Sequence, residues 1–428
     1  MKRMYLASAA FAGAMLACSL GRADAQVASP APSPAASKAP APAGSPSPAA
    51  SAAPTPSPTP FKLISLSGSG DVGYQSVAGT DKVRFVNGAP SRIFDAATGP
   101  FFDENGGRQL AGPNDFNSVP DLQNANLQLL LNGSLVSAKI EGSFGTDADV
   151  IASNGQSRSG VNLTQAYIQL TPNGATTFIA GKFSTEAGAE VIEAPGNTNY
   201  SRSYLFGEAI PFTHTGARLS YALDNSKITL VAGANNGWDD WKFVGGKGKT
   251  LEGAILLTPS PGWALTLDTY NGHDFAVTGN SALAFAPVYT NRMLYDSVLT
   301  LHPTGALTLI VNNDNGVQLA DNGTYFPVTA KWNGIAGYVN YQFNTRYGLS
   351  LRKETFHDDQ GFRTGIAQRL QSNTATVNFT PTGNYIFRVE YRVDTSDGPN
   401  FQYRDWNPTL PGRDHQNSIG AEAVVKFP

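Results

Sequence analysis

One stretch near the end of the chain constrains the fold more than any other feature of the sequence. Between residues 385 and 394, Phe387, Val389 and Tyr391 alternate with charged residues. Successive side chains of a β-strand point to opposite faces of the sheet, so this strand has one apolar face and one charged face. It suits a soluble sandwich, or a transmembrane barrel whose apolar face contacts lipid and whose charged face borders a wet interior.

The same period of two recurs along the chain, and the connections between strands favour the barrel. Short turns rich in Gly, Pro, Asn and Asp alternate with long polar connections, so the turns lie at one end and the loops at the other. No run of 18 apolar residues, the length that spans a membrane as a helix, occurs from residue 61 onward. We predict an all-β, antiparallel transmembrane β-barrel of about 16 strands (roughly 14–18), with short periplasmic turns and long extracellular loops. The predicted strands are 62–77, 122–131, 135–145, 162–170, 175–185, 213–223, 227–236, 249–257, 263–273, 290–301, 306–312, 330–343, 347–357, 369–379, 384–395 and 417–427.

The chain divides into three predicted segments. Residues 1–25 have the pattern of a secretory signal cleaved after Ala25, with a retained anchor or a lipid on Cys18 as alternatives. Residues 26–60 are almost entirely Ala, Pro and Ser, which predicts a disordered, extended linker in the periplasm. Residues 61–428 form the predicted barrel. Cys18 is the only cysteine, so a mature chain cleaved after Ala25 has no disulfide, and the net charge of −3 argues against a nucleic-acid partner.

Several short motifs give the chain a family resemblance. They are Asn197-Thr-Asn-Tyr-Ser-Arg-Ser203, Pro211-Phe-Thr-His-Thr-Gly-Ala-Arg218 and Asn236-Gly-Trp-Asp239, together with the strand end Gly181-Lys-Phe183 and the acidic stretch after it. On these residues the segment 120–241 resembles the porin-2 family of OmpL-like outer-membrane barrels. The resemblance implies a porin of the bacterial outer membrane. Barrels of this kind usually end on an aromatic residue, whereas Phe427 is followed here by Pro428.

The connection at 187–211 is long and mixes acidic, basic and aromatic residues, which suggests a loop that folds inward and narrows the barrel. An ordinary external loop is the alternative. The candidate residues for the constriction are Glu190, Glu193, Arg202 and Glu208.

Charged residues on the inward rows of the strands are candidates for lining an aqueous pore, because barrels of about 16 strands are too wide for side chains to fill. The alternative is a set of salt bridges that stiffens a closed interior. The pore-lining candidates are Lys139, Glu141, Lys182, Arg218, Arg352, Glu354, Arg388, Glu390, Arg392 and Asp394.

Aromatic residues near strand ends predict girdles at the two membrane interfaces. The candidates are Trp263, Tyr295, Trp332, Tyr338, Tyr341, Tyr347 and Phe427.

Enzyme chemistry has little support in the sequence. His214 and Ser220 share one strand but have no recognisable motif around them, and the polar runs at 313–316 and 357–359 lack full ligand spacing for a metal. We therefore expect no catalytic residues, no metal and no cofactor.

The predicted function is an outer-membrane porin of a Gram-negative bacterium, through which small hydrophilic solutes or ions diffuse passively. A non-conducting, adhesin-like surface barrel is the alternative, and a barrel hydrolase is a weaker one. The expected partners are outer-membrane lipid, the barrel-assembly machinery and small solutes or ions, and a homo-oligomer is left open.

Overall fold

A computed structural model describes residues 64–77, 120–153, 156, 159–241, 249–276, 288–320, 329–364, 367–398 and 414–427. The predicted signal at 1–25, the linker at 26–60, the first long connection at 78–119 and the terminal Pro428 lie outside the described residues.

Sixteen antiparallel strands of the described residues close into one barrel, in which every strand pairs with its neighbours in the sequence and β1 pairs with β16. The strand count and the closed antiparallel topology confirm the predicted fold. The strands are β1 Ile64–Val77, β2 Asp121–Leu131, β3 Val136–Phe144, β4 Val161–Leu170, β5 Thr176–Ser184, β6 Thr213–Leu223, β7 Ile228–Asn235, β8 Lys249–Ser260, β9 Trp263–Ala276, β10 Val288–Thr304, β11 Leu307–Gln318, β12 Ala330–Gln342, β13 Tyr347–Asp358, β14 Gln368–Thr382, β15 Tyr385–Ser396 and β16 His415–Phe427.

Polar side chains face the inside of the barrel and apolar side chains face outward. On β15, Val389 is 59% exposed, whereas the neighbouring Glu390 is 3% exposed. The same alternation runs along β12 to β14. Because directly opposed residues of paired strands lie on the same face, the register carries this division from strand to strand.

The short connections all lie at one end of the barrel. The turn between β6 and β7 is tight, with positive φ angles at Asp224, Asn225 and Ser226. The long connections lie at the other end and contain the only helical turns of the described residues: α1 (Thr146–Val150), a 3-10 turn at Ala194–Gly196 and one π turn at Leu205–Ala209. Among the described residues, no helix has the length and apolar character needed to cross a membrane.

Candidate channel interior

The long connection between β5 and β6, residues 185–212, crosses the inside of the barrel; we call it the inward loop. Its backbone amides meet side chains of distant wall strands. Gly188 donates to Asp296 Oδ2 at 3.1 Å on β10, and Ala189 donates to Asn312 Oδ1 at 3.1 Å on β11. The side chain of Asn199 reaches Thr376 on β14 at 2.6 Å. The loop therefore narrows the barrel rather than extending away from it.

Arg352 on β13 anchors the middle of this loop. Its Nη1 atom lies 2.7 Å from Glu190 Oε1 and donates to the carbonyl oxygen of Ser201 at 2.7 Å. On the same strand, Glu354 Oε2 accepts the backbone N–H of Tyr204 at 2.6 Å. Arg352 and Glu354 also pair with each other at 3.3 Å, and both side chains are fully buried.

The charged row of β15 anchors the loop in the same way. Glu390 accepts the backbone N–H groups of Tyr200 and Ser201 at 2.8 and 3.1 Å. Arg388 donates to the carbonyl of Asn197 at 2.5 Å and pairs with Glu422 on β16. Arg392 donates to the carbonyl of Arg202 at 2.7 Å and pairs with Asp394 at 2.7 Å. These wall charges hold the loop in place, and none of the four β15 side chains faces open water.

The four loop residues singled out from the sequence have different environments. Arg202 bonds back to the loop, donating to the carbonyls of Val191 and Ile192 at 3.0 and 2.9 Å. Glu190 pairs with Arg352, and Glu208 is buried with its carbonyl accepting from Arg363 at 2.5 Å.

Glu193 is the one partly exposed member of this set, and its carboxyl group is enclosed by neighbouring side chains. Its carboxyl lies beside Glu141 on β3, which pairs with Lys139 at 2.8 Å. Burial, and then the neighbouring Glu141 carboxylate, raise the pKa of Glu193 well above its usual range.

Two of the remaining wall candidates lie at other sites. Arg218 on β6 pairs with Glu186 of the inward loop and with Glu252 of β8, each at 2.6 Å, and its guanidinium lies 4.4 Å from the centroid of the Phe183 ring. Lys182 has no part in anchoring the loop. Its ammonium donates to Gln156 Oε1 at 2.9 Å and to the carbonyl of Leu163 at 2.7 Å.

An apolar cluster fills part of the interior, and the sequence did not predict it. The second half of the inward loop, including Leu205, Phe206 and Phe212, packs with inward residues of β10 to β14. Trp332 and Tyr338 belong to this cluster and are 1% and 4% exposed, so assigning them to an interfacial girdle was wrong.

The register explains the position of Trp332. It lies on the inward row of β12 directly opposite Gly316, where a Cβ atom would overlap the indole ring. Its Nε1 atom donates to the carbonyl of Ala209 at 3.0 Å, which ties the end of the inward loop to the wall.

The half of the barrel near the short turns has a different lining. Its inward side chains are mostly small and uncharged, and they are half-exposed. Examples are Thr177, Ser220, Thr266, Thr300, Asn340 and Asn378. The interior thus consists of a water-accessible vestibule on the turn side and a packed level where the inward loop meets the wall.

The arrangement offers no catalytic pair at His214 and Ser220. Their positions are six residues apart on one strand, about 20 Å at the usual rise. His214 instead lies near Gly237 O and Thr185 Oγ1, at 3.1 and 3.4 Å. Within the described part of the chain, no group of three or more His, Cys, Asp or Glu side chains is placed to hold a metal ion.

Comparison with known proteins decides the family. The model of the family described as "Putative beta-barrel porin-2, OmpL-like" matches residues 98–427. The chain belongs to this family. The match is longer than the segment 120–241 on which the sequence resemblance rested, and it includes all strands from β2 to β16. No curated protein matches the chain.

Solved outer-membrane proteins share the fold of this porin-2 family member at low sequence identity. The outer membrane channel DcaP of Acinetobacter baumannii is 14% identical, with a TM-score of 0.54, and the match covers 85% of this chain and 97% of DcaP. The trimer form of OmpT from Vibrio cholerae is 12% identical, with a TM-score of 0.53 and coverage of 85% and 99%. An anion-selective porin from Comamonas acidovorans is 12% identical, with a TM-score of 0.51 and the same coverage.

Proposed function

We propose that this protein is a porin through which small hydrophilic solutes or ions diffuse passively across the bacterial outer membrane. The observation that carries the proposal is a closed barrel of sixteen strands, apolar outside and polar inside, with a loop bonded across its interior. Membership of the porin-2 family and the fold of the outer membrane channel DcaP support it. The protein needs no cofactor and no catalytic residue for this role.

Solutes reach the inward loop through the vestibule on the turn side, and the level of the loop limits their passage. A passing solute contacts the loop residues that are partly or fully exposed, which include Glu186, Glu193 and Thr198. The charged wall residues predicted to line the pore therefore act largely indirectly, because their side chains position the loop. These residues are Lys139, Glu141, Arg218, Arg352, Glu354 and the charged row of β15.

We further propose that the channel prefers cations. On the described strands, inward carboxylates outnumber inward cations, and the loop adds more carboxylates than cations. The carboxylates are Asp71, Glu141, Glu252, Asp268, Asp274, Asp296, Asp314, Glu354, Asp358, Glu390, Asp394 and Glu422, and the cations are Lys139, Arg218, Arg292, Arg352, Arg388, Arg392 and Lys426. The partly exposed loop carboxylates Glu186 and Glu193 act most directly on a passing ion, and the excess of carboxylates on the wall behind them has the same sign.

We also propose how the barrel is assembled and placed in the membrane. Outer-membrane lipid surrounds the exposed apolar rows, the barrel-assembly machinery inserts the chain, and residues 26–60 remain in the periplasm. The trimer form of OmpT supports a homo-oligomer.

Single-channel recording of the purified protein in a planar bilayer tests the function. We expect a conductance proportional to salt concentration and, in a potassium chloride gradient, a reversal potential on the cation-selective side. A folded barrel that gives no conductance at any salt concentration would favour the non-conducting surface barrel instead.

A further inference from the structure

The carboxylates and the exposed cations of the strands lie on opposite faces of the barrel wall. On the described strands, each Asp or Glu whose side chain is described is buried on the inner side. The exposed charges on these strands are all basic: Lys249, Lys331, Lys353 and Arg369. Because they lie on the outward rows, they face the surroundings of the barrel and not the channel.

Two of these cations belong to a continuous polar area on β12, β13 and β14. Asn333, His357 and Arg369 are directly opposed in register across the three strands, and Lys353 is directly opposed to Asn373. Thr355 and Gln371 form the row between them. We call these seven residues the outer basic patch. The outward rows nearer the short turns are apolar, with Leu351 and Val377 exposed.

The depth of the patch follows from strand length. Lys353 lies six residues beyond Tyr347, where β13 leaves its short turn, and His357 lies four residues further. With a rise of about 3.3 Å per residue and a tilt of about 40°, Lys353 is about 15 Å above the turns and His357 about 25 Å. The apolar band of such barrels is about 25 Å tall, so the upper row of the patch reaches the far interface while Lys353 lies within the band.

A cation on the lipid face within the apolar band is unfavourable unless it has an anionic partner. Neither Lys353 nor Arg369 forms an ion pair with any described residue. The long Lys353 stem can instead extend along the wall toward the interface, which brings its ammonium toward Arg369. The two cations then converge at the level of lipid head groups, beside amide and imidazole side chains that can donate hydrogen bonds.

We propose that the outer basic patch binds the anionic, phosphate-bearing head group of an outer-leaflet lipid. Beside Arg369, the exposed Asp397 follows the end of β15 and accepts the backbone N–H of Arg369 at 2.6 Å. Beside Lys353, the outward rows of the described strands carry no carboxylate, so Lys353 is the cation that most needs an anionic partner. A lipid phosphate supplies that charge at the right depth. The proposal concerns the outer wall and does not depend on whether the channel conducts.

The test compares two variants with equal loss of charge. The first is Lys353→Gln with Arg369→Gln, in the patch. The control is Lys227→Gln with Arg346→Gln, which removes two exposed cations from the short turns at the opposite end. All four changes leave the interior untouched, and folding is verified by the shift in gel mobility between unboiled and boiled protein.

Each purified barrel is mixed in detergent with equal amounts of phosphatidylglycerol and phosphatidylcholine, and native mass spectrometry counts the lipids retained. We expect the wild type and the control to retain phosphatidylglycerol preferentially. The patch variant should lose about fivefold of this preference for each cation removed, or about 25-fold in total.

An unchanged preference in the patch variant overturns the proposal. A patch variant that keeps its lipid preference but changes its oligomeric mass also overturns it, and identifies the patch as an interface between copies.

Discussion

Replacing Arg352 with methionine should release the inward loop from the wall. The guanidinium bonds Glu190 at 2.7 Å, the carbonyl of Ser201 at 2.7 Å and the hydroxyl of Ser201 at 3.1 Å, and it pairs with Glu354 at 3.3 Å. Methionine fills a similar volume but donates no hydrogen bond. Two buried carboxylates and one loop carbonyl then lose their common partner.

The size of the effect follows from the burial of this group. Removing one partner of a buried ion pair costs about 3–5 kcal/mol, because the other partner stays buried and uncompensated. At about 1.4 kcal/mol per factor of ten, the ratio of anchored to released loop should fall by about a hundredfold to a few thousandfold. The strand ladders of the wall do not involve this side chain, so the barrel should still close.

Single-channel recording measures the consequence. We expect Arg352→Met to show a larger mean conductance or frequent transitions to a larger one. Arg346→Met, which removes an exposed arginine from a turn, should behave as wild type. Adding Glu190→Gln to Arg352→Met should restore part of the original conductance, because it removes one of the stranded charges. If Arg352→Met folds and conducts like the wild type, Arg352 does not hold the loop and the anchoring argument fails.

Three further predictions address other parts of the chain. Val389→Arg places a charge on the lipid face, at a cost of about 2–4 kcal/mol near mid-membrane, and should lower the yield of folded protein in lipid. The control Val389→Leu should not lower it. Equal yields of the two variants would contradict the assignment of Val389 to the lipid face. Deletion of residues 27–60 should leave assembly intact, since this segment has no apolar residue larger than Val27 to pack. Failure of the shortened protein to reach the outer membrane would contradict the linker prediction. Glu193 should hold its proton at pH values where an ordinary glutamate is charged. As pH increases through this raised pKa, the cation preference of the channel should therefore rise and the stability of the folded protein should fall. Reversal potentials measured across a pH series should show a step that Glu193→Gln abolishes.

The sequence predicts the wall well because the wall obeys a local rule. Period-two alternation and the spacing of turn residues locate sixteen strands. The largest difference is at the end of β11, which runs Leu307–Gln318 against a prediction of 306–312. The rule fails where both rows of a strand are apolar. On β12, Trp332 and Tyr338 face inward while Ile335 and Val339 face outward, so alternation alone cannot assign the faces. The glycine opposite Trp332 is the signal that could have placed it, and it depends on knowing the register.

The interior is harder to predict because its contacts are made largely by backbone groups. Arg388 and Arg392 donate to carbonyls of the loop backbone, and Glu390 accepts from loop amides. Because almost every residue has these backbone groups, the sequence does not show which loop residues the three side chains contact. This pairing also changes what those charges do. A fully paired and buried charge adds little to the field that an ion meets in the channel, whereas partly exposed Glu193 adds more once the pH rises above its raised pKa. Selectivity should therefore depend on exposed loop charges, and the β15 row should control whether the loop stays in the position from which they act.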